Sequence, residues 1–230
     1  MTLIKICGLT IVGDAMEVAQ MDVQMIGLVF AESRRQVSPQ QAAEICTAVK
    51  ELPRHPLIVG VFVNESPHTV NETVRQCGLD MVQLSGDESR DYCLGINAPV
   101  IKAIHISPSS HSEDIAVAIS GNTPARRRIL YLLDAKEEGK YGGTGQSFDW
   151  AIAGEISASY PVIIAGGLNP QNVGELVKSV RPLGVDVSSG VETDGRKDIA
   201  RVRSFIEAVR AVDKPADRNN DLLNKYILKR

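Results

Sequence analysis

The 230-residue chain has 43% hydrophobic and 23% charged residues, enough apolar side chains for a full core, which excludes a disordered or fibrous protein. Its formal net charge of −3 supplies no basic field for nucleic acid, and nowhere do eighteen apolar residues run together as a membrane span requires. Four cysteines, at 7, 46, 77 and 93, form no Cys-x-x-Cys and lie at no metal spacing from a histidine, so they read as reduced thiols. Met1 leads straight into an apolar strand pattern without a charged leader or cleavage site, and a soluble cytoplasmic protein is expected.

The first strand is Leu3-Ile4-Lys5-Ile6-Cys7-Gly8, with Cys7 its last side chain, followed by a helix with Ala15, Val18 and Ala19 on one face. Met25 to Phe30 reads as the second strand, and Ala31 to Gln36 as a polar loop carrying Arg34 and Arg35. Ser38-Pro39-Gln40-Gln41 opens the next helix with an N-cap, a proline at N1 and a capping-box glutamine; Ala42, Ile45, Cys46 and Val49 form its buried stripe. Leu57 to Val63 is the third strand, and Ser66-Pro67 caps a helix whose stripe is Val70, Val74 and Cys77 before the stop signal Gly78.

Strands follow at Met81 to Ser85, Val100 to Ile106 and Ile129 to Asp134. A seventh, from Val162, ends at Gly166-Gly167, with Asn169 and Pro170 as N-cap and first-turn proline; an eighth ends in Ser188-Ser189-Gly190. The last helix places Ile199, Val202, Phe205, Ile206 and Val209 at helical spacing. The tail from Asp213 to Arg230 falls outside the pattern, either disordered or a short surface helix, and Arg126-Arg127-Arg128 reads as a solvated lead-in to a strand.

Strand ends at 7, 30, 63, 85, 106, 134, 167 and 190 leave gaps of 21 to 33 residues, each long enough for one strand–helix unit. Eight such units with continuous apolar strands predict a single α/β domain over 1–212, a (β/α)8 TIM barrel, and the usual Gly-x-Gly-x-x-Gly of an open doubly wound sheet is missing after the first strand. Two successive late strands ending in glycines and hydroxyls suit a phosphate, bound by backbone amides without Cβ interference.

The C-terminal strand ends, where a barrel keeps its site, collect Cys7, Arg35, Gln83, Ser85 and Asp134, with Gly142-Gly143-Thr144-Gly145 in the loop after the sixth strand. Cys7 and Asp134 would bracket one substrate, a thiol and a carboxyl suited to taking one proton and giving another without a cofactor or metal. Two other readings compete. A different phosphate-binding barrel enzyme would want a metal cluster or a lysine base, for which Lys5 and Lys102 are available, and a non-catalytic barrel would have no use for Cys7 and Asp134.

Six ordered motifs resemble the phosphoribosylanthranilate isomerase family of tryptophan biosynthesis. They are Lys5 to Thr10; Gly60 to Asn64; Val82-Gln83-Leu84; Leu132-Leu133-Asp134 with Gly142 to Gly145 and Phe148-Asp149-Trp150; Ala165 to Pro170; and Val185 to Glu192. The resemblance implies an Amadori rearrangement of a small phosphorylated substrate, in a monomer or homodimer. It implies Cys7 as general base, Asp134 as general acid, Arg35 on the anthranilate carboxylate and Asp186 on the sugar hydroxyls. Gly143, Gly166, Gly167, Ser189 and Gly190 would fall in the phosphate loops. Ser85 and Gln36 depart from the family, which commonly has histidine and an aromatic residue there.

The implied chemistry has Asp134 protonate the ribose ring oxygen and open it to a Schiff base, after which a Cys7 thiolate removes the C2′ proton. The site is then expected to raise the carboxyl pKa and lower that of the thiol.

Overall fold

The computed structural model describes residues 1–107, 109–120, 129–135 and 150–213. Eight parallel strands close in sequence order: β1 (Leu3–Cys7), β2 (Met25–Val29), β3 (Leu57–Phe62), β4 (Met81–Leu84), β5 (Val100–Ile106), β6 (Ile129–Ala135), β7 (Val162–Ile164) and β8 (Gly184–Val187), which pairs back onto β1. Around them lie α1 (Val12–Ala19), α2 (Pro39–Lys50), α3 (Pro67–Cys77), α4 (Arg90–Leu94), α5 (Ser112–Ser120), α6 (Trp150–Ser159), α7 (Val173–Val180) and α8 (Ile199–Val212). This is the expected (β/α)8 barrel. Arg126-Arg127-Arg128, the glycine run 142–145 and residues 214–230 lie outside the described residues.

Successive strand residues point to opposite faces, and the strands pack two separate apolar layers. Ile4 and Ile6 belong to the layer between strands and helices, whereas Leu3 belongs to the barrel interior with Met25, Val59, Met81, Ile101, Leu130, Leu132 and Ile163. By the same parity Lys5 and Cys7 follow Leu3 inward, and Asp134 follows Leu130 and Leu132. Asp186 points inward because its neighbours Val185 and Val187 point out. Above the aliphatic interior, β1, β6 and β8 place Lys5, Cys7, Asp134 and Asp186 at inward positions.

Local signals built most helix starts as expected. Ser38 and Gln41 form a reciprocal capping box at α2, and Ser66 accepts from the Thr69 amide at α3. Two positions differ. In α3 the buried stripe is Val70, Thr73 and Cys77, with Val74 only partly buried; Thr73 spends its hydroxyl on the Thr69 carbonyl (2.8 Å) and so is accommodated on the buried side. Asn169 does accept from the Gln171 and Asn172 amides as an N-cap would, but it closes only a turn, and the regular helix begins a turn later at Val173. Asp213, the first residue of the expected tail, binds the Thr2 amide (3.0 Å) and hydroxyl (2.8 Å), while Arg210 reaches the Thr2 carbonyl. The last turn of α8 is thereby tied to the start of β1.

After β8 come a 3₁₀ turn (Ser189–Val191) and a hairpin, β9 (Glu192–Thr193) and β10 (Arg196–Lys197), that the strand–helix pattern did not reveal. Its turn residues Asp194 and Gly195 have φ of 50° and 79°, which is the left-handed geometry an Asp-Gly hairpin turn requires.

Candidate active site

At the C-terminal end of the barrel is a cavity of about 530 Å³. Of the residues to which the family resemblance gives a role, eight line it: Cys7, Arg35, Asp134, Gly166, Gly167, Asp186, Ser189 and Gly190. Gly143 lies outside the described residues. Gln83, Ser85 and His105 complete one side.

Cys7 sits at the end of β1 beside Gly27 of β2, and Lys5, two residues deeper, pairs with Asp186 of β8 across the strand register. The Lys5 ammonium is fully buried and lies 3.0 Å from Asp186 Oδ1. Burial works against that charge, but Asp186 and the Cys7 sulfur outweigh it and hold the Lys5 pKa above its ordinary value. Lys5 is therefore committed as a cation and is no candidate base. Lys102 is likewise spoken for, donating to the Gly86 carbonyl (2.7 Å) and the Glu88 carboxylate (2.9 Å).

Asp134 is pushed up to about 7, first by burial, then by the Asp186 charge, with Lys5 opposing. It is thus a carboxylic acid that exchanges its proton near neutrality, as a general acid needs. Cys7 departs from expectation. Burial raises the thiol pKa, Asp186 adds to this, and Lys5 and Lys197 offset only part of it. Both groups are raised, so above pH about 7 the proton left on the two rests on Cys7.

Arg35 lies with its Cδ across Gly8, where an added Cβ would approach to 2.5 Å, and Gly8 has φ of 81°. Only glycine suits that position. Nε and Nη2 of Arg35 form a fork with Glu192 at 2.6 and 3.0 Å, and Lys197 of the hairpin bonds the same carboxylate at 2.6 Å. Burial disfavours a charge on Glu192, yet the Arg35 and Lys197 contacts keep its pKa below the usual range. The second guanidinium edge, Nη1 with the remaining Nη2 proton, makes no hydrogen bond among the described residues and has the geometry to take a second carboxylate. Arg34 also reaches Glu192 (2.7 Å), but its side chain is 58% exposed and stays outside the cavity. Phe30, stacked on Phe62 with centroids 4.9 Å apart, supplies an aromatic wall nearby; Gln36 ties to the Phe30 carbonyl (3.0 Å).

The other end of the cavity is backbone. Gly166 and Gly167 have φ of 88° and 66°, and Asn172 braces the Gly167 carbonyl (3.0 Å). A Cβ at Gly190 would overlap the Leu168 carbonyl, so the two loops touch, and Arg201 holds the Gly190 carbonyl from outside (3.1 Å). Opposite, Gln83 donates to the Ser85 hydroxyl (3.0 Å) and His105 Nε2 lies 2.8 Å from the Ser85 carbonyl. Gln83 Oε1 is buried without a hydrogen-bond partner among the described residues, which leaves an acceptor for a ligand donor.

Sequence reading missed Glu192 and Lys197 as site residues. The Asp194-Gly195 pair between short extended segments was the signal for the hairpin that delivers them.

The family model for N-(5′-phosphoribosyl)anthranilate isomerase matches residues 4–208. The N-(5′-phosphoribosyl)anthranilate isomerase of Dehalococcoides mccartyi is 46% identical over 210 residues, 91% of this chain and 96% of that one. The phosphoribosyl anthranilate isomerase of Thermotoga maritima superposes with a TM-score of 0.79 at 34% identity, over 92% of this chain and all of that one. A further structure of such an isomerase, with reduced 1-(o-carboxyphenylamino)-1-deoxyribulose 5-phosphate bound, gives 0.76 at the same identity and coverage.

Proposed function

The chain belongs to the N-(5′-phosphoribosyl)anthranilate isomerase family, and from its cavity we propose which residues carry that family's reaction here. The protein is an isomerase of tryptophan biosynthesis, converting N-(5′-phosphoribosyl)anthranilate to 1-(2-carboxyphenylamino)-1-deoxyribulose 5-phosphate. The observation that carries the assignment of roles is a carboxyl poised near neutrality and a buried thiol lining one cavity between an arginine and two glycine loops.

The phosphate is taken by the amides about Gly167, Ser189 and Gly190, and the anthranilate carboxylate by the second edge of Arg35, with the ring against Phe30. Sugar hydroxyls fall to Asp186 and Gln83 Oε1. Asp134 gives its proton to the ring oxygen, and the C1′–O bond breaks to an iminium. That cation stabilises the thiolate, and Cys7 then takes the C2′ proton to leave an enolamine. Tautomerisation takes a proton at C1′ and releases one from the C2′ hydroxyl, so both groups return to their starting states. Every contact comes from one chain, which serves a monomer and a homodimer equally, and four free buried thiols agree with a cytoplasmic home. Among the described residues no helix is long and apolar enough to cross a membrane.

Following loss of phosphoribosylanthranilate fluorescence tests the binding roles. Arg35→Met should keep the fold and raise KM roughly tenfold or more through loss of charge-assisted bonds, while the exposed Arg34→Met changes KM little. The reverse ranking would move the carboxylate contact to Arg34.

Gly167→Val puts a β-branched residue at a left-handed φ in the phosphate loop. In the folded variant KM should rise roughly 10- to 100-fold, and inorganic phosphate should lose its power to compete with substrate. An unchanged KM would put the phosphate elsewhere.

A further inference from the structure

We propose that Lys5 is a positioning residue for the proton transfer at C2′: from the barrel floor its ammonium favours the thiolate form of the Cys7 sulfur, and Asp186 fixes the ammonium in place. The inference rests on Cys7 being the base.

Lys5 occupies a position that the packing of the barrel would give to an aliphatic side chain. Other inward-pointing side chains of the barrel interior are Leu3, Met25, Val59, Met81 and Ile163, all fully or nearly fully buried, and Lys5 is itself 0% exposed. A buried ammonium is costly unless paired, and an apolar residue of similar volume is often no less stable than a buried ion pair. Packing thus gives no reason for a charge here. Asp186 takes one of the three N–H donors at 3.0 Å. The sulfur lies in a second direction. Gly27, the β2 neighbour of Cys7, has no side chain, and a Cβ there would stand 2.7 Å from Cys7 Sγ and 3.2 Å from Lys5 Nζ. Thiol and ammonium therefore crowd a space that glycine alone leaves open. The backbone at Gly27 needs no left-handed φ, so room for these two groups is the reason for glycine.

Three charged side chains act on the thiol, from three strands: Lys5 of β1 and Lys197 of β10 favour the thiolate and Asp186 of β8 disfavours it. Asp134 of β6 lines the same cavity. Arg35 and Glu192, beyond Gly8, are paired to each other. Lys5 exerts the largest of the favourable effects, and only burial outweighs it. When the thiolate takes the C2′ proton, the ammonium is left with Asp186 alone and no charge is stranded.

Two variants should move Cys7 in opposite directions. Lys5→Met keeps the volume and removes the cation, whereas Asp186→Asn keeps the shape and removes the opposing carboxylate. The rate at which iodoacetamide alkylates Cys7 of the ligand-free protein, across pH, reports its thiolate fraction, and peptide mass spectrometry separates Cys7 from Cys46, Cys77 and Cys93. At pH 8 alkylation should be roughly tenfold or more slower in Lys5→Met and faster in Asp186→Asn than in the parent protein. Lys5→Met should also lower kcat with KM little changed. A lysine that only props up the fold would shift melting temperature and leave the alkylation profile where it was. An unmoved profile in folded Lys5→Met overturns the inference. If Asp186, left unpaired, prevents that variant from folding, Lys5→Met/Asp186→Asn removes both charges and should still be alkylated more slowly than the parent. Alkylation that shifts as expected, in a protein whose Cys7→Ala form retains kcat, supports the electrostatic link and removes Cys7 from the base role.

Discussion

Cys7→Ala should lower kcat by roughly 10² to 10⁴, the range for loss of one positioned proton-transfer group, while KM stays close to its original value. The reason for this split lies in the geometry. Neither the Arg35 edge nor the glycine loops contact the thiol's removable atoms, so ground-state binding loses nothing, whereas C2′ deprotonation loses its acceptor. A cysteine that merely fills space would behave in the opposite way. It is 7% exposed, and truncating a small buried side chain would lower the melting temperature with little effect on rate. Steady-state kinetics beside a thermal melt separates the two, and a Cys7→Ala enzyme with near-normal kcat and a lowered melting temperature would end the assignment.

Asp134→Asn is the second large effect. Asparagine is nearly isosteric but cannot protonate the ring oxygen, so ring opening should fail and kcat fall by a comparable roughly 10² to 10⁴. With Asp134 at about 7 and the thiol raised, the parent enzyme carries two protons on the pair below pH about 7, one between the two titrations and none above. On the proposed roles, only the one-proton state includes the productive arrangement, with the acid on Asp134 and the thiolate on Cys7. Accordingly kcat/KM should fall as pH drops through about 7, and that limb should be missing from the residual activity of Asp134→Asn. Since the proposed roles place the two residues in steps of one rearrangement, the double variant should lose less than the product of the single losses.

The same carboxyl gives a stability signature. Its folded pKa of about 7 lies above the ordinary 3.8, so the folded state binds more protons than the unfolded chain between those values, and stability falls as pH rises through that window. At pH 8 the penalty is complete, on the order of 4 kcal/mol by the linkage relation. Asp134→Asn should therefore melt higher than the parent at pH 8, with the difference closing toward pH 4. A variant that is less active and also less stable at pH 8 would mean that Asp134 is held by contacts and is not strained by burial.

Most of the architecture was legible in the sequence because it rests on local physics. The capping box at Ser38, the stop at Gly78 and the spacing of apolar strands with glycine or hydroxyl endings are short-range signals, and eight of them in register leave a closed barrel as the simple outcome. Cys7, Asp134 and Arg35 were legible as candidates for the related reason that a barrel delivers its strand ends to one mouth. Exact helix starts were less so, as at Asn169, where the side chain caps a turn and not the helix itself.

The charge state of the site was decided only by the tertiary structure. Lys5 meets Asp186 across 181 residues of chain, and Arg35 meets Glu192 across 157, so neither pairing has a local signature. The hairpin that carries Lys197 toward Ser188 and Glu192 was announced by Asp194-Gly195, but where it would land was not. Above all, burial is a property of the assembled barrel. It raises the thiol of Cys7 as well as the carboxyl of Asp134, against the expectation that one would rise and the other fall, because desolvation disfavours whichever form is charged. Which residues face the cavity followed from strand order and side-chain parity, but where the proton rests depended on how deeply the closed barrel buries them and on which distant charges it brings alongside.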